Sequence, residues 1–214
     1  MANKPVIIIG AGGHAKVLIS TLKALERKII GILSADMLSA GQTVNGIIIL
    51  GNDDKVKDYA TDAVELVNGI GSIAEPVKRT EIFLKFKTEG YNFARVIHPA
   101  AVIIDGLEIG EGAQIMAGAI VQTGCEISPN VIINTGAIVE HDCKIGAHVH
   151  IASGAVISGG VGIGAMSHIG TGATIVQGVK VGDHVVVGAG AVVTRNIPDG
   201  KKVVGNPANE IKTK

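Results

Sequence analysis

Isoleucine or valine occupies every sixth position from Ile97 to Val193, seventeen positions without an exception. The position two residues before it holds only small or β-branched residues between Ala113 and Ala191. An α-helix cannot keep a strict period of six on one face, because its 3.6 residues per turn rotate every sixth residue to a new direction. The repeat therefore predicts short strands separated by tight corners, and a glycine directly after the Ile/Val position, as at Gly110, suits such a corner.

The composition of the chain changes at about residue 94. All five aromatic residues precede this point, whereas 20 of the 30 glycines follow it. An interior without aromatic side chains has to be filled by small and β-branched aliphatic residues, which requires a regular and narrow core. We therefore expect two domains, over residues 1–93 and 94–214.

The repeat resembles the left-handed parallel β-helix of the hexapeptide acyltransferases over roughly residues 97–195. In that fold three hexapeptides form one triangular coil, and coils stack at about the 4.8 Å spacing of strands. Positions that differ by three hexapeptides should then lie on top of each other. Cys125 and Cys143 are such a pair in the small inward register, and we expect them to be core residues, with a redox pair as the alternative.

The N-terminal part begins with a predicted strand at residues 5–9, a glycine-rich turn and a helix from His14 to about Arg27. Glycines at a helix N-terminus let the backbone approach a phosphate, so we expect nucleotide contacts at Gly10, Gly12, Gly13 and His14. The alternative is that these glycines only let the helix and strand pack closely. Further strands are predicted at residues 29–33, 47–50 and 63–68, and further helices at 53–59 and 76–87.

These elements predict a small, Rossmann-like α/β domain with a parallel sheet. One such half-unit is shorter than the usual dinucleotide-binding fold, and a hexapeptide prism offers no hydride chemistry. A nucleotide-linked substrate is therefore the better interpretation, with Asp36, after the second strand, as a further candidate contact.

The whole chain resembles the bacterial nucleotide-sugar N-acetyltransferases that act on UDP-4-amino sugars, together with perosamine N-acetyltransferases and sialic acid O-acetyltransferases. Four segments carry the resemblance: IIIGAGGHAKV, IHPAA, INTGAIVEHDCKIG and VGNPA. The family often has paired acidic residues after the second strand, where this chain has Ser34, Ala35 and Asp36. The resemblance implies acetyl-CoA as donor, a nucleotide-linked amino sugar as acceptor, and a homotrimer with active sites between subunits.

Acetyl transfer to an amine needs a base and donors for the oxyanion. His141 stands between two carboxylates, which can orient the ring and stabilise an imidazolium. The resemblance implies that His141 is the general base and that Glu140 is its hydrogen-bonding partner. It also implies that Asn134 positions the sugar and that Gly159, one coil after His141, supplies a backbone N–H to the oxyanion. The alternatives are a solvated corner histidine, a turn asparagine and a plain corner glycine.

For acetyl-CoA, the resemblance implies that His150 lies near the thioester and donates to its carbonyl, and that the backbone of Gly188, Ala189 and Gly190 contacts the pantetheine arm. Arg195 and Lys201 follow the last coil and are candidates for the CoA phosphates, with a solvated charge run as the alternative. His150 and His168 are also one coil apart and are expected to stack facing outward, with a pair at a subunit interface as the other interpretation.

Nineteen basic and nineteen acidic residues give no net charge, which argues against nucleic acid or an anionic membrane as partner. No apolar run is long enough to insert into a membrane and no signal peptide is recognisable, so we expect a soluble, cytoplasmic protein. Two cysteines cannot form the usual zinc sites, and no metal is expected. Two other functions stay open: O-acetylation of a sugar such as sialic acid, and a non-catalytic scaffold that binds a nucleotide sugar.

Overall fold

The computed structural model describes residues 4–35 and 40–211. An α/β unit is followed by a prism of parallel strands, which confirms the predicted fold class. Asp36, one of the predicted substrate contacts, lies outside the described residues. None of the described helices is long and apolar enough to cross a membrane.

The described part of the N-terminal unit contains one sheet and two α-helices. Its strands run in the order β3-β4-β2-β1-β5, all parallel except β3, which forms a hairpin with β4. The segment predicted as a helix at residues 53–59 is a 3₁₀ helix, and β3 was not predicted. The elements are β1 (Val6–Ile9), α1 (Gly13–Ala24), β2 (Ile29–Leu33), β3 (Thr43–Val44), β4 (Ile47–Gly51), the 3₁₀ helix (Asp53–Asp58), β5 (Glu65–Asn68) and α2 (Val77–Thr88).

The two faces of this sheet bury different side chains. The helix α1 covers one face with aliphatic residues such as Leu18 and Leu22. The other face packs against Phe83 and Phe86 of α2 and against the aromatic residues that follow it. The aliphatic side also includes Met116 of the prism, so the two parts of the chain share a buried core.

The prism has three faces, and within each face neighbouring parallel strands of the repeat are paired at an offset of one coil, as Ile133 with Ile151. The first face contains β6 (Val96–Ile97), β9 (Gln114–Ile115), β12 (Ile132–Ile133), β15 (His150–Ile151), β18 (His168–Ile169), β21 (Val186–Val187), β23 (Lys202–Val204) and the antiparallel β24 (Asn209–Glu210). The second face contains β7 (Val102–Ile103), β10 (Ile120–Val121), β13 (Ile138–Val139), β16 (Val156–Ile157), β19 (Thr174–Ile175) and β22 (Val192–Val193). The third face contains β8 (Glu108–Ile109), β11 (Glu126–Ile127), β14 (Lys144–Ile145), β17 (Gly162–Ile163) and β20 (Lys180–Val181).

The inside of the prism is filled as the repeat predicted. The Ile/Val positions and the small register two residues earlier together form one continuous core cluster. Cys125 and Cys143 are buried in it as free thiols. They are therefore core residues, as expected from their spacing.

The corners of the prism contain one residue in the left-handed backbone region in every hexapeptide from Gly106 to Gly190. Glycine suits this position, and other residues are strained there by about 1 to 2 kcal/mol. The glycines directly after the Ile/Val position serve another purpose. At Gly164, for example, an added Cβ would lie 2.4 Å from the next coil at Gly182, so glycine there allows the coils to approach.

Five corner residues are left-handed without being glycine: Asn130, Asp142, His148, Met166 and His184. Four of them, all except Asp142, are spaced by one coil and stack along the corner between the third and first faces. Each contacts the N-terminal unit, through Asn68, Phe83, Thr80 and Glu75 respectively. The N-terminal unit therefore docks on this corner and on the first face.

Candidate active site

A cavity of about 920 Å³ opens between the N-terminal unit and the prism. Its walls are the glycine-rich turn after β1, the segment from Gly69 to Arg79, and the prism residues Asn134 and His150. The fold thus brings the predicted nucleotide contacts together with two of the predicted acetyl-transfer residues.

The glycines of the turn after β1 face open space. A Cβ added at Gly12 or Gly13 would meet no atom of the described residues within 4 Å, so packing of the helix against the strand does not require glycine at either position. Gly10 differs, because its φ of 95° itself favours glycine. Gly12 is the N-cap of α1, so the N-cap residue has no side chain to cap that end, and no acidic residue occupies the first turn. The free N–H groups of a helix N-terminus attract anions.

His14 is held as a neutral imidazole beside this turn. Gln114 donates its Nε2 to the Asn68 carbonyl at 2.8 Å, so its Oε1 accepts from His14 Nε2 at 2.7 Å. Burial, and then the nearby charge of Arg79, lower the pKa of His14 to about 4. At neutral pH its Nδ1 therefore carries a lone pair.

Arg79 is a fully buried cation next to the cavity. Its Nη1 donates to the carbonyls of Asn68 and Ile70 at 2.9 and 2.8 Å, and its Nε donates to the Asn130 carbonyl of the prism at 3.3 Å. Its Nη2 is buried without a hydrogen-bond partner among the described residues. Burial lowers the pKa of Arg79 to about 9, so the side chain remains charged at neutral pH.

His150 lies at the base of the cavity. Its Nδ1 is 2.8 Å from Ser72 Oγ, its Nε2 is 3.4 Å from Asn134 Nδ2, and its ring packs edge-on against His168 at 5.0 Å between centroids. Burial, followed by the neighbouring His168, His14 and Arg79, lowers the pKa of His150 to about 2. The expected stacking of the two histidines is present. The interpretation as a pair at a subunit interface is wrong, because both residues are already buried in the single chain and Ser72 of this same chain lies against both rings.

His141 lies on another corner, between the second and third faces, and its side chain is half exposed. Its Nδ1 is 2.8 Å from Asp142 Oδ2, and this hydrogen bond is the main reason that its pKa is raised, with the charges of Asp142 and Glu140 adding to it. The expectation that Glu140 is the hydrogen-bonding partner is therefore wrong. The left-handed backbone at Asp142 (φ 60°) brings its carboxylate to the ring, whereas Glu140 acts only through its charge.

The ring of His141 rests directly on Gly159. A Cβ at Gly159 would lie 2.5 Å from His141 Nε2, so only glycine fits beneath the ring in this position. The stacking expected from the offset of one coil is present. The Gly160 N–H donates to the His141 carbonyl at 2.8 Å, while that of Gly159 has no acceptor within the described ranges and is available to a substrate oxygen.

In a single chain His141 and the cavity are apart. Asn134 belongs to the corner between the first and second faces, and six residues of chain, at most about 20 Å, lead from Thr135 across the second face to His141. His141 does not line the cavity. One chain therefore presents two half-sites on the two edges of its second face.

The predicted CoA contacts fall into two groups. Gly188, Ala189 and Gly190 occupy the same corner as Asn134, three coils further along, which is about 14 Å at the strand spacing. Arg195 and Lys201 lie away from it, paired with the C-terminal tail through Asn209 at 2.8 Å and Glu210 at 2.9 Å. The described residues contain no group of three or more His, Cys, Asp or Glu side chains that could hold a metal ion.

Comparisons with known proteins agree with this architecture. The family described as the PglD N-terminal domain matches residues 5–85, and the bacterial transferase hexapeptide family matches residues 124–159. The acetyltransferase domain of PglB from Neisseria gonorrhoeae, solved alone and with acetyl coenzyme A, is 37% identical. The match covers 98% of this chain and 100% of that domain with a TM-score of 0.90. The chain belongs to the PglD-type hexapeptide acetyltransferases.

Other solved members of this family are similar over the full length. PerB from Caulobacter crescentus, in complex with CoA and GDP-perosamine, is 34% identical with a TM-score of 0.89, covering 99% of both chains. Two variants of that N-acetyltransferase, in which a histidine is replaced by alanine or asparagine, were solved with the same ligands. WeeI from Acinetobacter baumannii is 29% identical with a TM-score of 0.86, covering 98% of this chain and 100% of that one. A comparison with curated proteins gives no significant match.

Sequence analysis missed several residues of the site. Ser72, Asn68 and Gln114 gave no signal, because their role depends on how the two units dock. Arg79 did give one. It shares the helical spacing of Ile82, Phe83 and Phe86, and this pattern could have indicated a cation on the apolar side of α2.

Proposed function

We propose that this protein transfers the acetyl group of acetyl-CoA to the amine of a nucleotide-linked 4-amino-deoxy sugar in bacterial surface glycan biosynthesis. The observation that carries the proposal is the open space in front of Gly12 and Gly13, next to an uncapped helix N-terminus and in the same cavity as Asn134 and His150. The solved relatives that hold acetyl coenzyme A, or CoA with GDP-perosamine, support both substrates.

In the proposed reaction, the amine nitrogen of the sugar attacks the thioester carbonyl. His141 Nε2 accepts the proton that the nitrogen loses, and Asp142 on Nδ1 stabilises the imidazolium. The N–H of Gly159 donates to the oxyanion, and collapse of the tetrahedral intermediate breaks the C–S bond. The sulfur of CoA leaves with the proton from His141, giving an amide and free CoA.

We propose a homotrimer in which the second faces of neighbouring prisms meet. The outward row of this face is apolar apart from one threonine, and it is only half buried or exposed in the single chain. It consists of Val102, Ile120, Ile138, Val156, Thr174 and Val192. The corresponding row of the third face is mostly charged. Contact along the second face would bring His141 of one chain toward the cavity of another, completing both half-sites.

The nucleotide is proposed to be UDP, by resemblance to the enzymes that act on UDP-4-amino sugars. The GDP-perosamine complex of PerB makes GDP the main competitor. Calorimetry with UDP, GDP and dTDP decides between them, and tighter binding of GDP or dTDP would contradict the choice of UDP.

A thiol-release assay with UDP-4-amino-sugar, GDP-perosamine and sialic acid tests the function. Detection of an N-acetylated nucleotide sugar by mass spectrometry supports the proposal. Acetylation of sialic acid alone, or no thiol release with any acceptor, refutes it. His141→Ala should lower kcat by about 10² to 10⁴ with little change in the acceptor KM. Light scattering that gives the monomer mass of 21.8 kDa would contradict the trimer.

A further inference from the structure

Ser72 connects the N-terminal unit to two buried histidines of the prism. It lies between β5 and α2, and its Oγ is 2.8 Å from His150 Nδ1 and 3.4 Å from His168 Nδ1. The two histidines are only 5% and 6% exposed, so no solvent hydrogen bond competes freely for these nitrogens. One hydroxyl therefore bridges two imidazole rings.

The direction of each hydrogen bond follows from Asn134. The N–H of Thr135 donates to Asn134 Oδ1 at 2.8 Å, so this oxygen is the acceptor and Nδ2 is the atom that faces His150. An amide NH₂ group can only donate. His150 Nε2 must then be unprotonated.

A neutral His150 with a bare Nε2 carries its hydrogen on Nδ1 and donates it to Ser72 Oγ. The hydroxyl hydrogen of Ser72 is then directed to Nδ1 of His168. Besides His168, two charged or titratable neighbours among the described residues face His150: His14, which is itself neutral, and Arg79, whose positive charge opposes a second proton on the ring. The chain of donors runs in one direction, from Asn134 through His150 and Ser72 to His168.

We propose that Ser72 is a positioning residue: as the acceptor of the Nδ1 hydrogen it holds His150, together with the longer contact from Asn134 Nδ2, in the Nδ1–H tautomer. In this tautomer a substrate N–H can replace Asn134, at 3.4 Å, as the donor to the lone pair of Nε2. The part that concerns substrate rests on the proposed function. The N–H is supplied either by the amine of the sugar or by an amide of the pantetheine arm. In this tautomer Nε2 cannot donate to the thioester carbonyl, which is the opposite of the role that the family resemblance implied.

The tautomer is measured directly on the whole, ligand-free protein. Protein labelled with ¹⁵N in histidine is recorded in long-range ¹H–¹⁵N correlation spectra, and His150→Gln assigns the His150 signals. We expect a protonated Nδ1 and a bare Nε2 in the wild type, and a mixture of both tautomers in Ser72→Ala. A bare Nδ1 in the wild type, or an unchanged spectrum in Ser72→Ala, would overturn the proposal.

Kinetics provide the second readout. Loss of one hydrogen bond from the hydroxyl should reduce kcat/KM about 3- to 10-fold in Ser72→Ala, and Ser72→Thr, which keeps the hydroxyl, should recover most of it. Ser20→Ala, on the exposed side of α1, is the matched control and should not change either constant. A rise in the KM of acetyl-CoA alone assigns the N–H to pantetheine, and a fall in kcat or a rise in the sugar KM assigns it to the amine.

Ser72→Ala kinetics equal to those of Ser20→Ala would show that the hydroxyl positions nothing used in catalysis, and this would overturn the proposal. Absence of any acetyl transfer by the wild-type protein would refute the proposed function instead. The tautomer measurement does not depend on turnover, so the two failures are distinguishable.

Discussion

Gly159→Ala should displace the proposed base without unfolding the chain. A methyl group at this position would lie 2.5 Å from His141 Nε2 and 2.6 Å from Cε1. Ordinary contacts of a Cβ begin at 3.4 Å, so the ring has to move by the difference between 3.4 and 2.5 Å, which is about 0.9 Å. A misplacement of about 1 Å at a reacting group can reduce the rate about 10²-fold.

Gly159→Ala should lower kcat and leave the stability of the fold unchanged. The His141 side chain is half exposed and can swing outward, and the backbone at Gly159 is not left-handed, so alanine introduces no backbone strain there. The variant also keeps the N–H of residue 159. A loss of rate would therefore come from the displaced imidazole and not from a missing oxyanion donor.

The measurement is kcat and KM for both substrates by thiol release, together with the midpoint of thermal unfolding. Gly162→Ala is the matched control, because it lies on the next strand and a Cβ there meets nothing within 4 Å. We expect kcat of Gly159→Ala to fall about 10²-fold and Gly162→Ala to behave as wild type. A Gly159→Ala enzyme within a factor of two of wild type would refute the reasoning that His141 acts from this position.

Two more predictions concern the cavity. Gly12→Val should raise the KM of the nucleotide sugar by about tenfold or more, a loss of about 1.4 kcal/mol in binding, because the valine side chain would occupy the proposed phosphate path. The KM of acetyl-CoA should be nearly unchanged. Equal effects on both substrates would show that the glycines serve another purpose. The free energy of unfolding should fall as the pH drops below about 6.5, because histidines of the unfolded chain take up protons there. His14 and His150 do not take up protons in the folded chain, since burial lowers their pKa values to about 4 and about 2. The loss amounts to about 2 kcal/mol for each histidine at pH 5. His14→Gln should therefore reduce the difference between the free energies of unfolding measured in urea at pH 8 and at pH 5. An undiminished difference would contradict a buried neutral His14.

The sequence could predict the prism in detail because its structure is local and repeated. Each hexapeptide forms the same strand and corner, so the offset of one coil correctly stacked Cys125 on Cys143 and His141 on Gly159. One error occurs where the docking of the two units decides which residues are covered. His150 and His168 are buried by the segment around Ser72, and the repeat of the prism contains no information about where that segment lies.

The choice between Glu140 and Asp142 could not be made from composition, because both carboxylates flank His141. It depends on backbone conformation at a corner. Ten of the fifteen left-handed corners of the prism from Gly106 to Gly190 are glycine, and Asp142 is the one exception in the described chain that does not touch the N-terminal unit.

Asp142→Gly tests whether this strained aspartate is kept for chemistry. Removing a side chain from a left-handed corner relieves about 1 to 2 kcal/mol of strain, and the extra freedom of glycine in the unfolded chain takes back about 0.5 to 1 kcal/mol. Stability should therefore be unchanged or raised by up to about 1.5 kcal/mol. The pKa of His141 should fall at the same time, because the hydrogen bond that raises it is lost.

Since the base must be neutral to accept a proton, the acid limb of the kcat profile should move to lower pH in Asp142→Gly, while kcat on the plateau falls as the ring loses its orientation. His148→Gly is the matched control, since it is also left-handed but packs against Phe83 of the N-terminal unit, and it should lose stability with an unshifted acid limb. A loss of stability in Asp142→Gly with an unshifted acid limb would mean that the aspartate serves the fold. Unchanged or raised stability with a shifted acid limb would show that the strained backbone at Asp142 serves to orient His141 for proton transfer.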